Sequence, residues 1–333
     1  MALGEMPAVS DYVHGYSARE SERLVDQATT LAELLHADTG YPPGSRVLEA
    51  GCGIGAQTVT LASRSPGATI VAVDASAASL GGARERVRSA GLGSVLFGQA
   101  DLYALPFAPA SFDHVFVCFV LEHLPRPEEA LGNLKDVLRP GGTITVIEGD
   151  HGSAYFHPDS QYARRAIQCL IDLQARAGGN SLIGRVLYPL LREAGFTNIE
   201  VSPRMVYVDS SRPRLVQGFT KNTFTAMVEG VRGRALAADL IDEATWDKGI
   251  KDLYRTAEEG GTFCYTFFKA VARRPGSSSS NNRGDLNGAQ RSPSSDSNSS
   301  LDSSATPRDA AAALRARRMP NVSRSPFEPS PGF

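Results

Sequence analysis

A chain of 333 residues with 42% hydrophobic content can bury a full core and has room for one large domain or two modest ones. Its formal charge of -2 leaves no broad basic footprint for nucleic acid or an anionic membrane, and no run of about 18 apolar residues is present to span a bilayer. Cys52, Cys118, Cys169 and Cys264 stand far apart with no C-x-x-C pair and no histidine at ligand spacing, so free thiols and no metal site are expected.

The first residues, MALGEMPAVSDYVHGYS, carry neither a basic n-region nor an apolar h-region, which makes the cytoplasm the expected location. Ser17-Ala18-Arg19-Glu20 forms a capping box, and Leu24, Ala28, Leu31 and Leu35 recur on one helical face, so residues 1–39 are expected to supply an N-terminal lid helix. From residue 40 the chain alternates. Short β-branched or apolar runs at 46–50, 69–74, 95–99, 114–119 and 143–148 are separated by helical patterns. One of those helices is bracketed by Ser76 and Gly91, another by Pro127 and Arg139-Pro140-Gly141-Gly142. This rhythm specifies a mostly parallel sheet with helices on both faces. Downstream come helical pattern at 155–177, a helix over 181–194 stopped by Gly195, and strands near 199–208 and 262–271. Between those strands lies a helical insertion at about 209–260, long enough to cover a site. A main domain over 40–274 follows. After Arg274 the composition turns to Ser, Asn, Gly and Pro, so 275–333 is expected to be a disordered Ser/Pro-rich tail.

RVLEAGCGIGAQT, residues 46–58, places three glycines between a strand and a helix. Gly51-x-Gly53-x-x-Ala56 satisfies the loose dinucleotide fingerprint, so the loop alone does not separate dinucleotides from other adenosine cofactors. In an open α/β sheet the ligand lies beyond the carboxyl ends of the strands, and acidic residues occupy those places. Glu49 ends the first strand, Asp74 ends the second at a spacing suited to a ribose diol, and Asp101 follows the third, where it can accept from an adenine amino group.

LEAGCGIG, VDAS, QADLYALPFAPASFDHVFVCFVLEHL and LRPGGTITVIE, in this order, resemble the class I S-adenosylmethionine-dependent methyltransferases, especially the ubiquinone/menaquinone-biosynthesis-like methyltransferase-domain proteins. The resemblance covers residues 40–150, and YVHGYSARESERLVDQA resembles a helix that some relatives carry over the cofactor. It implies a Rossmann-like α/β fold with a seven-stranded, mostly parallel sheet, helices on both faces and a helical lid insertion. The implied cofactor is S-adenosyl-L-methionine. Carried over position by position, Gly51, Gly53 and Gly55 let the backbone approach the amino-acid moiety of the cofactor, and Asp74 holds the ribose. Asp101 with Leu102 meets the adenine, Glu49 holds the ammonium with help from Gln57, and Phe119 lies against the methionine portion. Plain capping accounts for Glu49 and Gln57 as well, and core packing for Phe119.

Methyl transfer from a sulfonium is in-line displacement, so alignment is the main task and a base is needed only for a weakly acidic nucleophile. His151, in Glu148-Gly149-Asp150-His151-Gly152 after the fifth strand, is the candidate base, with Asp150 to orient it; loop capping is the alternative. His123 in Leu121-Glu122-His123-Leu124 is expected to be structural or cofactor-adjacent. Tyr12, His14 and Tyr16 are expected to close over the cofactor, and Tyr155 and His157 to line a substrate pocket with the helices at 155–177 and 213–260. Arg185 and Arg192 suit a solvated face. The expected activity is methyl transfer to a small-molecule acceptor, without nucleic-acid or membrane partners. The competing readings are a non-catalytic S-adenosylmethionine-binding regulatory module, a protein or RNA methyltransferase, and a nicotinamide oxidoreductase; the last lacks any use for the motifs after residue 95.

Overall fold

Apolar strands too short to stand alone hide both faces by stacking edge to edge under amphipathic helices. In the computed structural model, which describes residues 18–276, β1 (Arg46–Ala50), β2 (Thr69–Asp74), β3 (Val95–Gln99), β4 (Phe112–Cys118) and β5 (Leu138–Gly149) run parallel in the order β3-β2-β1-β4-β5. The strand order reverses at β1 and β4, and the ends of these two strands form the natural ligand crevice. The expectations for Tyr12, His14, Tyr16 and Ser17, and for the tail from 277 to 333, lie outside the described residues.

Helices α1 (Ala18–His36), α2 (Ala56–Arg64), α3 (Ala77–Ser89) and α4 (Pro127–Val137) flank this half of the sheet. Ser76 caps α3 by accepting the Ser79 amide at 3.2 Å, and Pro127 opens α4, as their positions in the sequence foretell. Arg139-Pro140-Gly141-Gly142 does stop α4, but these residues already belong to β5, which starts at Leu138.

The antiparallel half comprises β6 (Tyr155–His157), β7 (Thr197–Asp209) and β8 (Thr262–Arg273). β8 pairs with β5, β6 and β7. The sheet therefore has eight strands rather than seven. The addition is β6, where a helix was expected to begin. β5 pairs only with residues 267–273 of β8, and β6 takes up the bare edge at 262–264. Helix α5 (Gln161–Arg176) then starts at Ser160, whose hydroxyl accepts the Ala163 amide. The expected helix over 181–194 is shorter: a 3-10 turn, Ile183–Val186, leads into α6 (Leu187–Glu193).

Between β7 and β8 the chain is helical, through α7 (Pro213–Leu215), a π-helix (Val216–Thr225), α8 (Ala226–Glu229), α9 (Arg232–Ala237) and α10 (Glu243–Arg255). Buried Trp246 fixes α10 to the core. Gly249 lets α10 approach α5, because a Cβ there would stand 2.6 Å from the Tyr162 carbonyl. Gly218 does the same for the π-helix and α1, where a Cβ would collide with Thr30. At its other end α1 is tied to the sheet by Asp38, which accepts from buried Lys269 at 2.7 Å and from Arg204 at 2.5 Å. These contacts seat α1 and the π-helix as a roof over the ends of β4 and β5.

Candidate functional site

The glycine loop begins where β1 stops. Gly51 and Cys52 donate their amides to the Val73 carbonyl at 2.8 and 2.9 Å, which turns the chain back toward β2. Gly51, Gly53 and Gly55 all take positive φ, at 75°, 50° and 77°. Their reasons differ, however. A Cβ at Gly51 would stand 2.6 Å from the Val120 side chain, and one at Gly55 would stand 2.9 Å from the Ala83 backbone, so both are glycines because of packing. At Gly53 a Cβ would meet nothing within 4 Å, and only there does the loop open to a ligand.

Two carboxyls face this loop. Asp74 accepts the Gly53 amide at 2.8 Å through Oδ2 and the Ser76 amide at 2.9 Å through Oδ1. Each oxygen keeps a lone pair for a diol. Burial raises its pKa, and the two amides pull it back. Glu49 is buried, and its Oε2 makes no hydrogen bond among the described residues. Burial pushes its carboxyl up to about 7, eased by the nearby Thr58 hydroxyl and reinforced by Asp74. An unpartnered buried carboxyl oxygen calls for a cation. A cofactor with an ammonium, a ribose diol and an adenine fits this set of groups.

Other expected contacts need correction. The Gln57 carbonyl oxygen lies 2.9 Å from Nε2 of buried His36 on α1, which takes up one of its two accepting sites. Its amide NH2 remains to donate to a carboxylate. The Leu102 side chain is buried in the core on the far face of the sheet, which leaves only its backbone for an adenine. Asp101 is exposed and accepts the Tyr103 amide at 2.9 Å.

Beside the loop lies a cavity of about 40 Å³ under the roof. Phe119, in the left-handed region at φ 58° after β4, forms one wall and packs 5.6 Å from the Phe267 ring. Phe219, Phe224 and Met227 close it from the insertion, and Arg23, Leu24 and Gln27 from α1. Its polar floor holds Glu122, His123 and His151. Burial, then the charge of nearby Glu122, raises the Glu148 pKa, although the Val120 and Leu121 amides donate to it at 3.0 and 2.8 Å. Gln174 steadies Glu122 at 3.2 Å.

His151 thus reaches the cavity, but Asp150 does not orient it. Asp150 accepts from Arg185 through both oxygens, at 2.7 and 2.8 Å, and Arg185 is a pinned ion-pair partner rather than part of a free face. The 3-10 turn at 183–186 accounts for this, by bringing Arg185 back to the end of β5. Tyr265 is the partner of His151, with its Oη 2.8 Å from Nδ1, while Nε2 has no hydrogen bond among the described residues. Burial lowers the His151 pKa and keeps the ring neutral near pH 7. Tyr155 and His157 do not line the cavity. Strand alternation turns both outward, with Tyr155 65% exposed, and aims Phe156 inward against Phe263.

Residues 48–146 match the family described as "Methyltransferase domain". The chain is 33% identical over 191 residues to an uncharacterized 37.1 kDa protein in transposon TN4556 of Streptomyces fradiae, covering 56% of this chain and 54% of that protein. It is 35% identical over 143 residues to methyltransferase GfsG of Streptomyces halstedii, covering 42% and 51%. To demethylmenaquinone methyltransferase of Thermus thermophilus it is 39% identical over 103 residues, covering 31% and 46%. The chain spans about half the length of these relatives. The matched stretch runs from β1 into β5 and contains the open glycine loop and both carboxyls that face it, so it is this part of the chain that is similar to methyltransferase domains.

Proposed function

We propose that this chain transfers a methyl group from S-adenosylmethionine to a small-molecule acceptor held in the cavity under α1 and the π-helix. The observation that carries the reading is the junction at Phe119-Val120. Val120 packs on the first loop glycine, while Phe119 walls the cavity, so the cofactor loop and the acceptor chamber share one short piece of backbone. The name of one relative gives demethylmenaquinone, a small molecule, as its acceptor.

When bound, the sulfonium supplies an electrophilic methyl carbon: the acceptor's lone pair forms the new bond as the carbon–sulfur bond breaks, and its electron pair stays on sulfur as a neutral thioether. The protein's part is placement. Asp74 holds the diol, Glu49 the ammonium and Gln57 a carboxylate, and together they fix the direction in which the cavity is approached. Orientation of this kind is worth roughly 7 to 11 kcal/mol in the best intramolecular models. Phe119, Phe219, Phe224 and Phe267 exclude water and present π-faces to a cation. His151 meets the reacting group of the acceptor through Nε2. None of the described helices is long and apolar enough to cross a membrane, and we place the activity in the cytoplasm.

Calorimetric titration with S-adenosylmethionine, S-adenosylhomocysteine and NAD, side by side, tests the reading. The first two are expected to bind and NAD is not. Binding of NAD alone would overturn it. A screen of acceptors with methyl-labelled cofactor follows.

A further inference from the structure

His151 faces the cavity with one ring nitrogen and the protein with the other. Nδ1 lies 2.8 Å from Tyr265 Oη, and buried Nε2 has no hydrogen-bond partner among the described residues. Tyr265 is itself buried on β8, and Gly149 admits its hydroxyl, because a Cβ there would collide with Oη. The phenol proton needs an acceptor, and among the described residues His151 Nδ1 is the hydrogen-bond partner of Tyr265 Oη. A buried hydroxyl left without an acceptor is costly. A neutral imidazole that accepts at Nδ1 must carry its hydrogen on Nε2.

We propose that Tyr265 is a positioning residue that donates to His151 Nδ1 and thereby makes Nε2–H a hydrogen-bond donor aimed into the cavity, where it takes a lone-pair-bearing oxygen of the acceptor. A carbonyl, an enolate or a phenolate provides such an oxygen. The role in recognising an acceptor rests on the methyltransferase reading; the tautomer does not. The role of general base, expected for His151 from the sequence, requires the opposite tautomer, with Nε2 bare.

Full-length protein labelled with 15N-histidine reports the tautomer of each of its six histidines in long-range proton–nitrogen correlation spectra near neutral pH. His151→Gln identifies the His151 signals. The expected result is a bare Nδ1 and a protonated Nε2 in the wild type, with a shift toward the Nδ1–H form in Tyr265→Phe. A wild-type ring protonated on Nδ1 overturns the proposal without recourse to any variant. So does a folded Tyr265→Phe protein whose His151 tautomer is unchanged. Incorporation of 3-fluorotyrosine, which preserves the ring and strengthens the phenol as a donor, is expected to move the His151 Nδ1 resonance; a resonance that stays put removes Tyr265 as the donor. S-adenosylmethionine titrated into the same sample tests the methyltransferase reading separately, since failure to bind leaves the tautomer as measured.

Discussion

Asp74 serves the loop and, in the proposed function, the ligand as well. Replacing it with alanine strips the Gly53 and Ser76 amides of their acceptor and removes the diol partner. Loss of a charged hydrogen-bond partner costs about 1.5 to 3 kcal/mol, so calorimetry on Asp74→Ala should show affinity for S-adenosylmethionine reduced by about 10- to 100-fold, with a lower Tm. Glu49 gives a pH signature. Its folded pKa of about 7 lies above the ordinary 4.5, so between those values the unfolded chain has released a proton that the folded chain still holds. Stability therefore falls as pH rises through this window and levels off above it. Glu49→Gln should flatten the profile and melt higher at pH 8, by on the order of 3 kcal/mol at about 1.36 kcal/mol per pKa unit. An ammonium beside Glu49 favours the ionised form, so cofactor affinity should climb with pH through 7 in the wild type and lose that slope in the variant. Both carboxyls were legible in the sequence because each lies within a few residues of a strand end. Tyr265 was not. It meets His151 across 114 residues of chain, and nothing local marks it except its place in an apolar strand. Arg23 escaped for a different reason: an arginine on an amphipathic helix suits solvent, whereas here it is 8% exposed and faces the cavity.

At the level of elements, β1, β2 and β3 were readable to the residue, since a buried parallel strand is a continuous apolar run with a turn after it, whereas β4 and β5 begin two and five residues before the expected 114 and 143. The edges were harder to read. β6 exists because β8 outreaches β5, a fact about a partner strand that no local pattern at 155–157 records. The ion pair at the end of β5 is open to direct test. Arg185→Ala leaves the buried Asp150 carboxylate with the Gly152 amide as its remaining hydrogen-bond partner among the described residues. Breaking a fully buried pair costs about 3 to 5 kcal/mol, and the half-exposed guanidinium lowers the expectation to roughly 1 to 3 kcal/mol of lost stability in denaturant melts. The close contact of the roof with α1 is tested by Gly218→Val, whose added side chain pushes against Thr30. The expected result is faster amide exchange along α1 with β1 to β5 still protected; uniform loss of protection would show that the roof and the sheet unfold as one.

For the molecule as a whole, the fold class followed from the alternation of strand and helix, while the acceptor chamber depends on α1, two strand ends, the insertion and β8 meeting in space. An acceptor bound in the chamber would lie against Leu24 and Gln27 of α1, so cofactor plus acceptor should protect α1 from exchange more than cofactor alone. The π-helix in that roof bears on how such a chamber changes over time. Phe219 and Phe224 both line it although they are five positions apart, and in an α-helix, at about 100° per residue, they would diverge by about 140°. The wider i→i+5 winding brings them to the same side. Shape here is governed by counting residues as much as by choosing them. Excising Lys221 would let the segment relax into an α-helix with the two rings four apart and still aligned, whereas the same excision after Phe224 would keep the rings and rotate everything downstream. For this roof, insertion and deletion are the steps that move whole faces at once, and single replacements are the fine adjustment.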